Sequence, residues 1–206
     1  MAAVPRFASD IAFSPAVKAM QDRKGSRSAY ARMEEGRGWK TEVTPELQAW
    51  LQRLNSFYLA TANAQGQPYI QHRGGPTGFL KVLDARTLAF ADFSGNRQYI
   101  SSGNLAVNPQ AFLFTMDYAQ RRRIKLWGRA RVVEDDADLL QRLVDPAYDA
   151  QPEQALVFEL VTWDANCPQH IPRKFDAAEV EHALRQRDAR IQALEQELAN
   201  LRAAHR

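Results

Sequence analysis

Residues 121–133 alternate between two kinds of side chain, and this alternation constrains the fold more than any other part of the sequence. The even positions are small or apolar: Ile124, Leu126, Gly128, Ala130 and Val132. The odd positions carry five cations and an indole: Arg121, Arg123, Lys125, Trp127, Arg129 and Arg131. Successive side chains of a β-strand point to opposite faces of a sheet, so the pattern predicts a long strand with one face in a core.

The cationic face of this predicted strand has two interpretations. A row of cations beside an indole can hold a flat, anionic aromatic ligand through charge-assisted hydrogen bonds and contacts with the ring face. The same row can equally be the solvated face of an ordinary strand. Binding of nucleic acid is a weaker third interpretation, because 27 basic residues stand against 24 acidic ones and the net charge is only +3.

Six further segments have the composition of strands. They are rich in β-branched and aromatic residues and are bounded by turn residues: 57–62, 68–73, 78–83, 88–93, 111–117 and 156–163. The connections at 64–67 and 84–87 have hairpin composition, which favours an antiparallel meander. The prediction is a mainly β fold with helices (α+β), in which an antiparallel sheet of six to seven strands closes into a barrel.

Helical patterns lie before, within and after the predicted sheet. Thr44 caps a helix that has Pro45 at its first position and apolar residues at helical spacing. Further helices are predicted at 97–107 and 136–143. Residues 1–43 combine short helical patterns with Pro and Gly, which is typical of an arm lying over another part of a protein. The predicted organisation is an N-terminal helical arm (1–43), a barrel domain (44–172) and a long C-terminal helix (173–206).

The C-terminal helix carries a heptad pattern. Its apolar residues alternate between a and d positions: Val180, Leu184, Ile191, Leu194, Leu198 and Leu201. Arg187 interrupts the pattern at a d position. The pattern indicates either a coiled-coil-like helix or an amphipathic helix packed on its own domain, and it favours neither.

Composition argues against several classes of protein. The single cysteine, Cys167, has no partner for an internal disulfide or a cysteine-based metal cluster, and no metal is expected. Cys167 near His170 could act as a redox thiol, although a lone cysteine is more often inert. No apolar run approaches the roughly 20 residues needed to cross a bilayer, and residues 1–10 lack the apolar stretch of a secretory signal. We therefore expect a cytoplasmic protein without a membrane partner.

Residues 95–98, Gly-Asn-Arg-Gln, stand between a predicted strand and a predicted helix. Asn96 would cap the helix and Arg97 would lie in its first turn, where unpaired N–H groups and the helix dipole attract anions. A guanidinium adds a planar fork of donors that suits a phosphate. The turn is thus a candidate phosphate site, although most Asn caps do no more than cap a helix.

Four motifs occur in the order found in pyridoxamine 5'-phosphate oxidase-like flavoproteins. They are Gly66-Gln67-Pro68-Tyr69, Gly78-Phe79-Leu80-Lys81, Gly95-Asn96-Arg97-Gln98 and the run 122–130. Over about residues 50–170 the chain resembles this family, whose members are split β-barrels that hold FMN between two identical subunits. Residues 166–171 resemble a branch whose members are sometimes fused to ferredoxin-reductase modules.

The resemblance implies a homodimer with FMN at the subunit interface. Arg97 and Gln98 match phosphate-binding positions, with Asn96 in the same turn, and Asp92 lies where a ribityl contact is expected. The remaining matched positions are His72 and Arg73 near the flavin, Phe79, Leu80 and Lys81 along the isoalloxazine, Ser101 and Asn104 in the following helix, and Arg123 as a polar contact.

The resemblance stops short of a substrate. The family's Arg-x-His-Asp-Arg segment has no counterpart near the C-terminus, which argues against oxidation of pyridoxamine 5'-phosphate itself. The expected function is an FMN-dependent oxidoreductase that transfers hydride or electrons and is supplied by NAD(P)H or another donor. Its substrate and catalytic residues are unassigned. The alternative is a non-catalytic module that binds or stores flavin.

Overall fold

The computed structural model describes residues 6–166 and 168–204 of the chain. Its centre is a seven-stranded antiparallel sheet in the order β2-β1-β5-β6-β7-β4-β3. The strands are β1 (Ser56–Ala62), β2 (Pro68–Gly74), β3 (Lys81–Val82), β4 (Thr87–Phe93), β5 (Gln110–Asp117), β6 (Arg122–Val133) and β7 (Pro152–Asn166). The helices are a 3-10 helix (Ala8–Ile11), α1 (Pro15–Arg23), α2 (Arg27–Glu35), α3 (Pro45–Leu51), α4 (Ile100–Val107), α5 (Ala137–Leu143) and α6 (Ala177–Ala204). The predicted α+β fold is confirmed.

The sheet curls until strands from its two halves meet. Four strands separate β2 from β4 in the sheet order, yet Arg73 on β2 forms an ion pair with Asp92 on β4. Likewise, the ring of Phe57 on β1 lies edge-on to that of Phe90 on β4, with centroids 5.2 Å apart. Side-chain contacts thus join β2 and β1 to β4. The edge strands β2 and β3 are not hydrogen-bonded to each other, so the sheet does not close into a continuous ladder. This is the split barrel that the resemblance implies.

Helix α3 closes one side of the barrel core. Its N-terminus forms as predicted, because the Thr44 hydroxyl accepts a hydrogen bond from the Leu47 backbone N–H at 3.3 Å. Leu47, Trp50 and Leu51 are fully or almost fully buried. The Trp50 indole N–H donates to the Thr115 hydroxyl at 2.9 Å, so the polar atom of this large buried side chain is satisfied.

Strand β6 has the two faces that the sequence predicts. Ile124, Leu126 and Ala130 are buried in the core. The register of β6 against β7 shifts between Trp127 and Gly128. At this bulge a Cβ atom on Gly128 would lie 2.2 Å from the Glu159 carbonyl oxygen, so only glycine fits the close approach of the two strands.

The outer face of β6 is covered in part by the N-terminal arm, which corrects the interpretation of this face as an open ligand surface. The indole of Trp39 stacks on that of Trp127 with centroids 4.7 Å apart, and the Lys125 ammonium pairs with Asp164 at 3.2 Å. The flat aromatic partner of Trp127 is therefore a residue of the same chain. The sequence pattern could not reveal this, because Trp39 is distant along the chain.

Three elements of the barrel begin three or four residues away from the predicted position. Helix α4 begins at Ile100 rather than at residue 97, because Arg97 and Tyr99 have left-handed backbones (φ 58° and 52°) that no α-helix contains. Strand β3 is shorter than predicted, since Gly78 also has a positive φ and donates its N–H to the Leu54 carbonyl instead of to a strand. Strand β7 begins earlier, at Pro152, because it pairs along the whole of β4.

The C-terminal residues form a second compact unit together with the turn at 118–121. Within this unit the Arg121 Nε donates to the Ile171 carbonyl at 3.1 Å, and the Lys174 ammonium lies 4.6 Å from the centre of the Tyr118 ring. Helix α6 contains no buried residue. The predicted long terminal helix is present, and its heptad stripe is exposed.

No helix within 6–166 and 168–204 has the length and apolar character needed to span a bilayer. The same ranges contain no group of three or more His, Cys, Asp or Glu side chains arranged to hold a metal ion. Cys167 lies outside the described residues, and its role stays a prediction.

Candidate functional site

A polar cavity of about 260 Å³ lies where β2, β4 and the start of α4 meet. Strand β2 contributes one face to it, so every second residue lines the cavity: Tyr69, Gln71 and Arg73. The end of β4, the connection to α4, the first turn of α4 and the start of β7 supply the rest: Asp92, Phe93, Gly95, Asn96, Arg97, Gln98, Tyr99, Ile100, Ser101, Ser102 and Glu153.

The floor of this cavity is a nearly buried charged network. The Arg73 guanidinium pairs with Asp92, and the two side chains retain only 13% and 11% of their exposure. The Gln154 amide donates to the Asp92 carboxylate at 2.9 Å and to the Ser102 hydroxyl at 3.1 Å. Both oxygens of Asp92 are thus engaged, one by Arg73 and one by Gln154. The network fixes Arg73 in position.

One N–H group of the Arg73 guanidinium has no hydrogen-bond acceptor among the described residues. This group is the buried Nε–H. A buried charged donor without a partner costs about 1–3 kcal/mol or more, so such atoms in folded proteins call for an explanation. Arg73 lines both the polar cavity and an adjoining cavity of about 150 Å³. Arg73 therefore lies at the boundary of the two cavities.

The connection between β4 and α4 has a strained backbone. Non-glycine residues with left-handed φ cost on the order of 1–3 kcal/mol each, and such residues cluster at ligand sites. Here Arg97 and Tyr99 both adopt this conformation. The Tyr99 hydroxyl donates to the Glu153 carboxylate at 2.5 Å and accepts from the Arg97 Nε at 3.2 Å. This chain of contacts holds Arg97 at the rim of the cavity.

The charge of Arg97 is fixed by the same contacts. The hydrogen bond to Tyr99, followed by the nearby negative charge of Glu153, raises the pKa of the Arg97 guanidinium above its ordinary value. Only its Nε is engaged, which leaves the two terminal nitrogens without a partner among the described residues. A planar pair of cationic donors therefore faces solvent beside the cavity.

The first turn of α4 also borders the cavity. Its cap is Tyr99, and no side chain in the described part of the chain caps the first N–H groups. Ser101 is buried, and its hydroxyl donates to Gln71 at 2.8 Å, which ties the helix to β2. The anion-attracting helix end that the sequence predicts is present, but it lies at residues 100–102, three residues later than expected.

The structure places the predicted site residues in two groups. Those lining the polar cavity or the adjoining one are His72, Arg73, Phe79, Asp92, Asn96, Arg97, Gln98 and Ser101. Those lining neither are Leu80, Lys81, Asn104 and Arg123. Leu80 belongs to the buried core, and the Asn104 amide donates to the Thr61 hydroxyl at 3.0 Å. For Lys81 and Arg123, contact with FMN stays a prediction that rests on the resemblance alone.

Sequence reasoning missed several residues that line the cavity: Tyr69, Gln71, Tyr99, Ser102 and Glu153. It also missed Gln154, which lies outside the lining and donates a hydrogen bond to Asp92. Strand alternation would have found Tyr69 and Gln71, because they share a face with Arg73. Glu153 and Gln154 carry no such signal, since they precede the segment with strand composition.

A larger cavity of about 480 Å³ lies beneath the N-terminal arm. Its lining includes Trp39, Lys40, Lys125 and Asp164. Most of the charged groups there have partners within the chain: Lys125 pairs with Asp164, Glu46 pairs with Arg122, and the Lys40 ammonium lies 5.1 Å from the centre of the Trp163 ring, while Arg37 is exposed. The polar cavity is the better candidate site, because its Arg73 has a buried N–H donor without a partner. The described residues that line the cavity beneath the N-terminal arm include no buried polar atom without a partner.

Comparison with known proteins agrees with this fold. Residues 43–169 match the family model described as pyridoxamine 5'-phosphate oxidase. No curated protein matches the sequence. Among solved structures, HupZ of Group A Streptococcus is 15% identical, with 64% of this chain and 98% of that chain covered and a TM-score of 0.49.

Two other solved structures have a similar degree of likeness. A putative pyridoxamine 5'-phosphate oxidase of Lactobacillus delbrueckii is 22% identical, covering 61% of this chain and 95% of that one, with a TM-score of 0.46. An FMN-binding protein of Syntrophomonas wolfei is 14% identical, covering 74% and 97%, with a TM-score of 0.44. These likenesses assign no ligand and no reaction to the chain.

Proposed function

Because this chain belongs to the pyridoxamine 5'-phosphate oxidase family, we propose that the polar cavity binds FMN and that the protein is an FMN-dependent oxidoreductase. The observation that carries the proposal is the unpartnered Nε of Arg73. An ordered, nearly buried cation with a free donor fits the hydroxyl and phosphate oxygens of a flavin nucleotide. FMN is preferred to FAD, because the polar lining suits a terminal phosphate.

The phosphate would lie at the strained connection and the start of α4. Arg97 offers two cationic donors there, Gln98 an amide, and residues 100–102 the free N–H groups of a helix end. Asp92 is not a candidate phosphate ligand, because its two carboxylate oxygens are already engaged by Arg73 and Gln154. The ribityl chain would then run from this end towards Arg73.

The shape of the cavity supports a homodimer. Sites for cofactors of this size usually enclose about 300–1,000 Å³, and the polar cavity and the adjoining one reach the lower end of this range only together. Tyr99 and Ile100 at its rim are 45% and 40% exposed. A second subunit related by two-fold symmetry would cover these side chains and complete two equivalent sites. Light scattering should therefore give twice the mass of the 23.3 kDa chain.

The residues of the chain would position the cofactor and leave the chemistry to it. Bound FMN supplies acceptance of a hydride and release of one or two electrons. Arg73 and Arg97 would hold the nucleotide, and the Asp92–Gln154 pair would keep Arg73 oriented. Among the described residues no further group stands out as an acid or base, so the substrate class stays open and the donor is proposed to be NAD(P)H or another reductant.

Reduction and reoxidation of the bound flavin test the oxidoreductase against the alternative of a storage module. An oxidoreductase should bleach its flavin absorbance on mixing with NADH or NADPH without oxygen, and should recover it with a specific acceptor over repeated turnovers. A storage module should hold FMN tightly but react with nicotinamide nucleotides no faster than free FMN does. The second result would overturn the enzymatic part of the proposal and leave flavin binding intact.

Arg73→Lys is expected to weaken FMN binding by at least about tenfold. Lysine keeps the positive charge beside Asp92 but has no N–H group at the position of the arginine Nε. The measurement is quenching of FMN fluorescence on titration with protein. Arg131→Lys is the matched control, since Arg131 is exposed on β6 and lines no part of the cavity. Equal affinity of both variants would show that the free Nε does not face the cofactor.

A further inference from the structure

Helix α6 presents an uncovered apolar stripe along its length. The stripe residues are exposed by 42–54%: Val180, Leu184, Ile191, Leu194, Leu198 and Leu201. They alternate between d and a positions from Val180 onwards. A 28-residue helix gains little stability from propensity alone and is normally held by packing of its apolar face. The stripe is thus suited to packing against another helix.

We infer that α6 pairs with α6 of a second copy of this chain as a parallel, in-register, two-stranded coiled coil. The charges that flank the stripe identify this occupant. In a parallel pair, each g residue faces the e residue five positions later on the other helix. Arg190 then faces Glu195 of the second copy, and Glu197 faces Arg202. Both contacts are attractive, and two-fold symmetry repeats each of them.

The antiparallel arrangement is less favourable. There e residues face e residues and g residues face g residues, with Ile191 opposite Leu194 at the centre. That alignment places Asp188 opposite Glu195 of the other helix, a repulsive contact that also occurs twice. It offers as many attractive contacts as the parallel pair, which contains no like-charge contact at these positions. At the e and g positions the repulsion favours the parallel orientation, in which the two Arg187 side chains share one d layer and each is paired with Asp188 of its own chain.

Arg187 at a d position is compatible with pairing of two α6 helices and restricts the register in which they can pair. Its guanidinium already contacts the neighbouring Asp188, with 3.1 Å between Nη2 and Oδ1. Asp188 occupies an e position, which flanks the d layer, so each cation in that layer has a carboxylate beside it. A single polar residue in the stripe lowers stability but fixes register and the number of helices. The inference does not depend on flavin binding.

Disulfide trapping in the full-length protein tests this arrangement. In a Cys167→Ser background, Leu194→Cys introduces one thiol at a d position, where parallel in-register helices bring equivalent residues within disulfide reach. Ala189→Cys is the matched control, because Ala189 occupies an f position on the opposite side of the helix. Oxidised glutathione should convert the first variant to a covalent dimer and leave the second as single chains on a non-reducing gel.

Three outcomes would overturn the inference. Absence of cross-linking in Leu194→Cys and also in Leu198→Cys, which samples an a position, would exclude parallel in-register pairing. Cross-linking only in a mixture of Ile191→Cys and Leu194→Cys chains would establish the antiparallel arrangement instead. Equal cross-linking of Ala189→Cys would indicate random collision. Circular dichroism of each variant confirms that α6 is helical in the sample tested.

Discussion

Arg97→Ala is expected to raise the dissociation constant for FMN by roughly a hundredfold or more while leaving that for riboflavin almost unchanged. Arg97 has two free cationic nitrogens at the rim of the cavity, and each charge-assisted hydrogen bond contributes on the order of 1.5–3 kcal/mol. Riboflavin lacks the phosphate, so it has nothing to lose at this position. Parallel titrations of both flavins measure the difference.

The matched control for Arg97 is Arg131→Ala, which removes an exposed guanidinium from β6 and should change neither affinity. Without FMN, the melting temperature of both variants should equal that of the wild type, because Arg97 is itself exposed and contributes nothing to the core. Equal losses of FMN and riboflavin affinity in Arg97→Ala would place the phosphate elsewhere and require a different orientation of the cofactor.

Gly128→Ala is expected to destabilise the barrel by about 3 kcal/mol or more. The added Cβ would lie 2.2 Å from the Glu159 carbonyl oxygen and 2.5 Å from the Phe158 ring, at the bulge where β6 and β7 pair. Backbone atoms cannot yield as a flexible side chain can, so the strands must separate locally. For a chain of this size the melting temperature should fall by about 6–12 °C.

Gly103→Ala is the matched control: it makes the same chemical change but should not lower the melting temperature. Gly103 lies inside α4, where a Cβ would meet no atom within 4 Å, and alanine is preferred to glycine in helices by about 1 kcal/mol. Its melting temperature should stay equal or rise. If Gly128→Ala melts at the same temperature as Gly103→Ala, the close approach of β6 and β7 at the bulge is wrong.

Strand composition and one period-two pattern were sufficient to predict most of the strands. The alternation at 121–133 and the hairpin turns predicted β6 and an antiparallel sheet, and the four motifs predicted the family; these are confirmed. The predicted meander is wrong, because β4 pairs with β7 and not with β5, and β2 does not pair with β3. The predicted start of α4 was wrong, and the cause is physical. Asn96 and the residues after it have ordinary helix-start composition, but the contact of Tyr99 with Glu153 holds the backbone of this segment in another conformation.

The site was predicted less completely than the fold, because a curled sheet joins residues that are distant in sequence. Arg73 and Asp92 were each assigned from the resemblance, but the ion pair between them follows only from the meeting of β2 and β4. Similarly, the alternating cations of β6 indicated an open face, whereas Trp39 of the arm stacks on its indole. Local patterns carry no information about such long-range contacts.

The central claim is that the cavity around Arg73 and Arg97 binds FMN, and equilibrium binding to the purified protein tests it most directly. The protein is incubated with excess FMN and freed of unbound flavin by gel filtration, and its visible spectrum and melting temperature are recorded. The account predicts a yellow protein with FMN equimolar to the chain and a melting temperature that rises with FMN concentration. A colourless protein whose melting temperature is unchanged by excess FMN would contradict it.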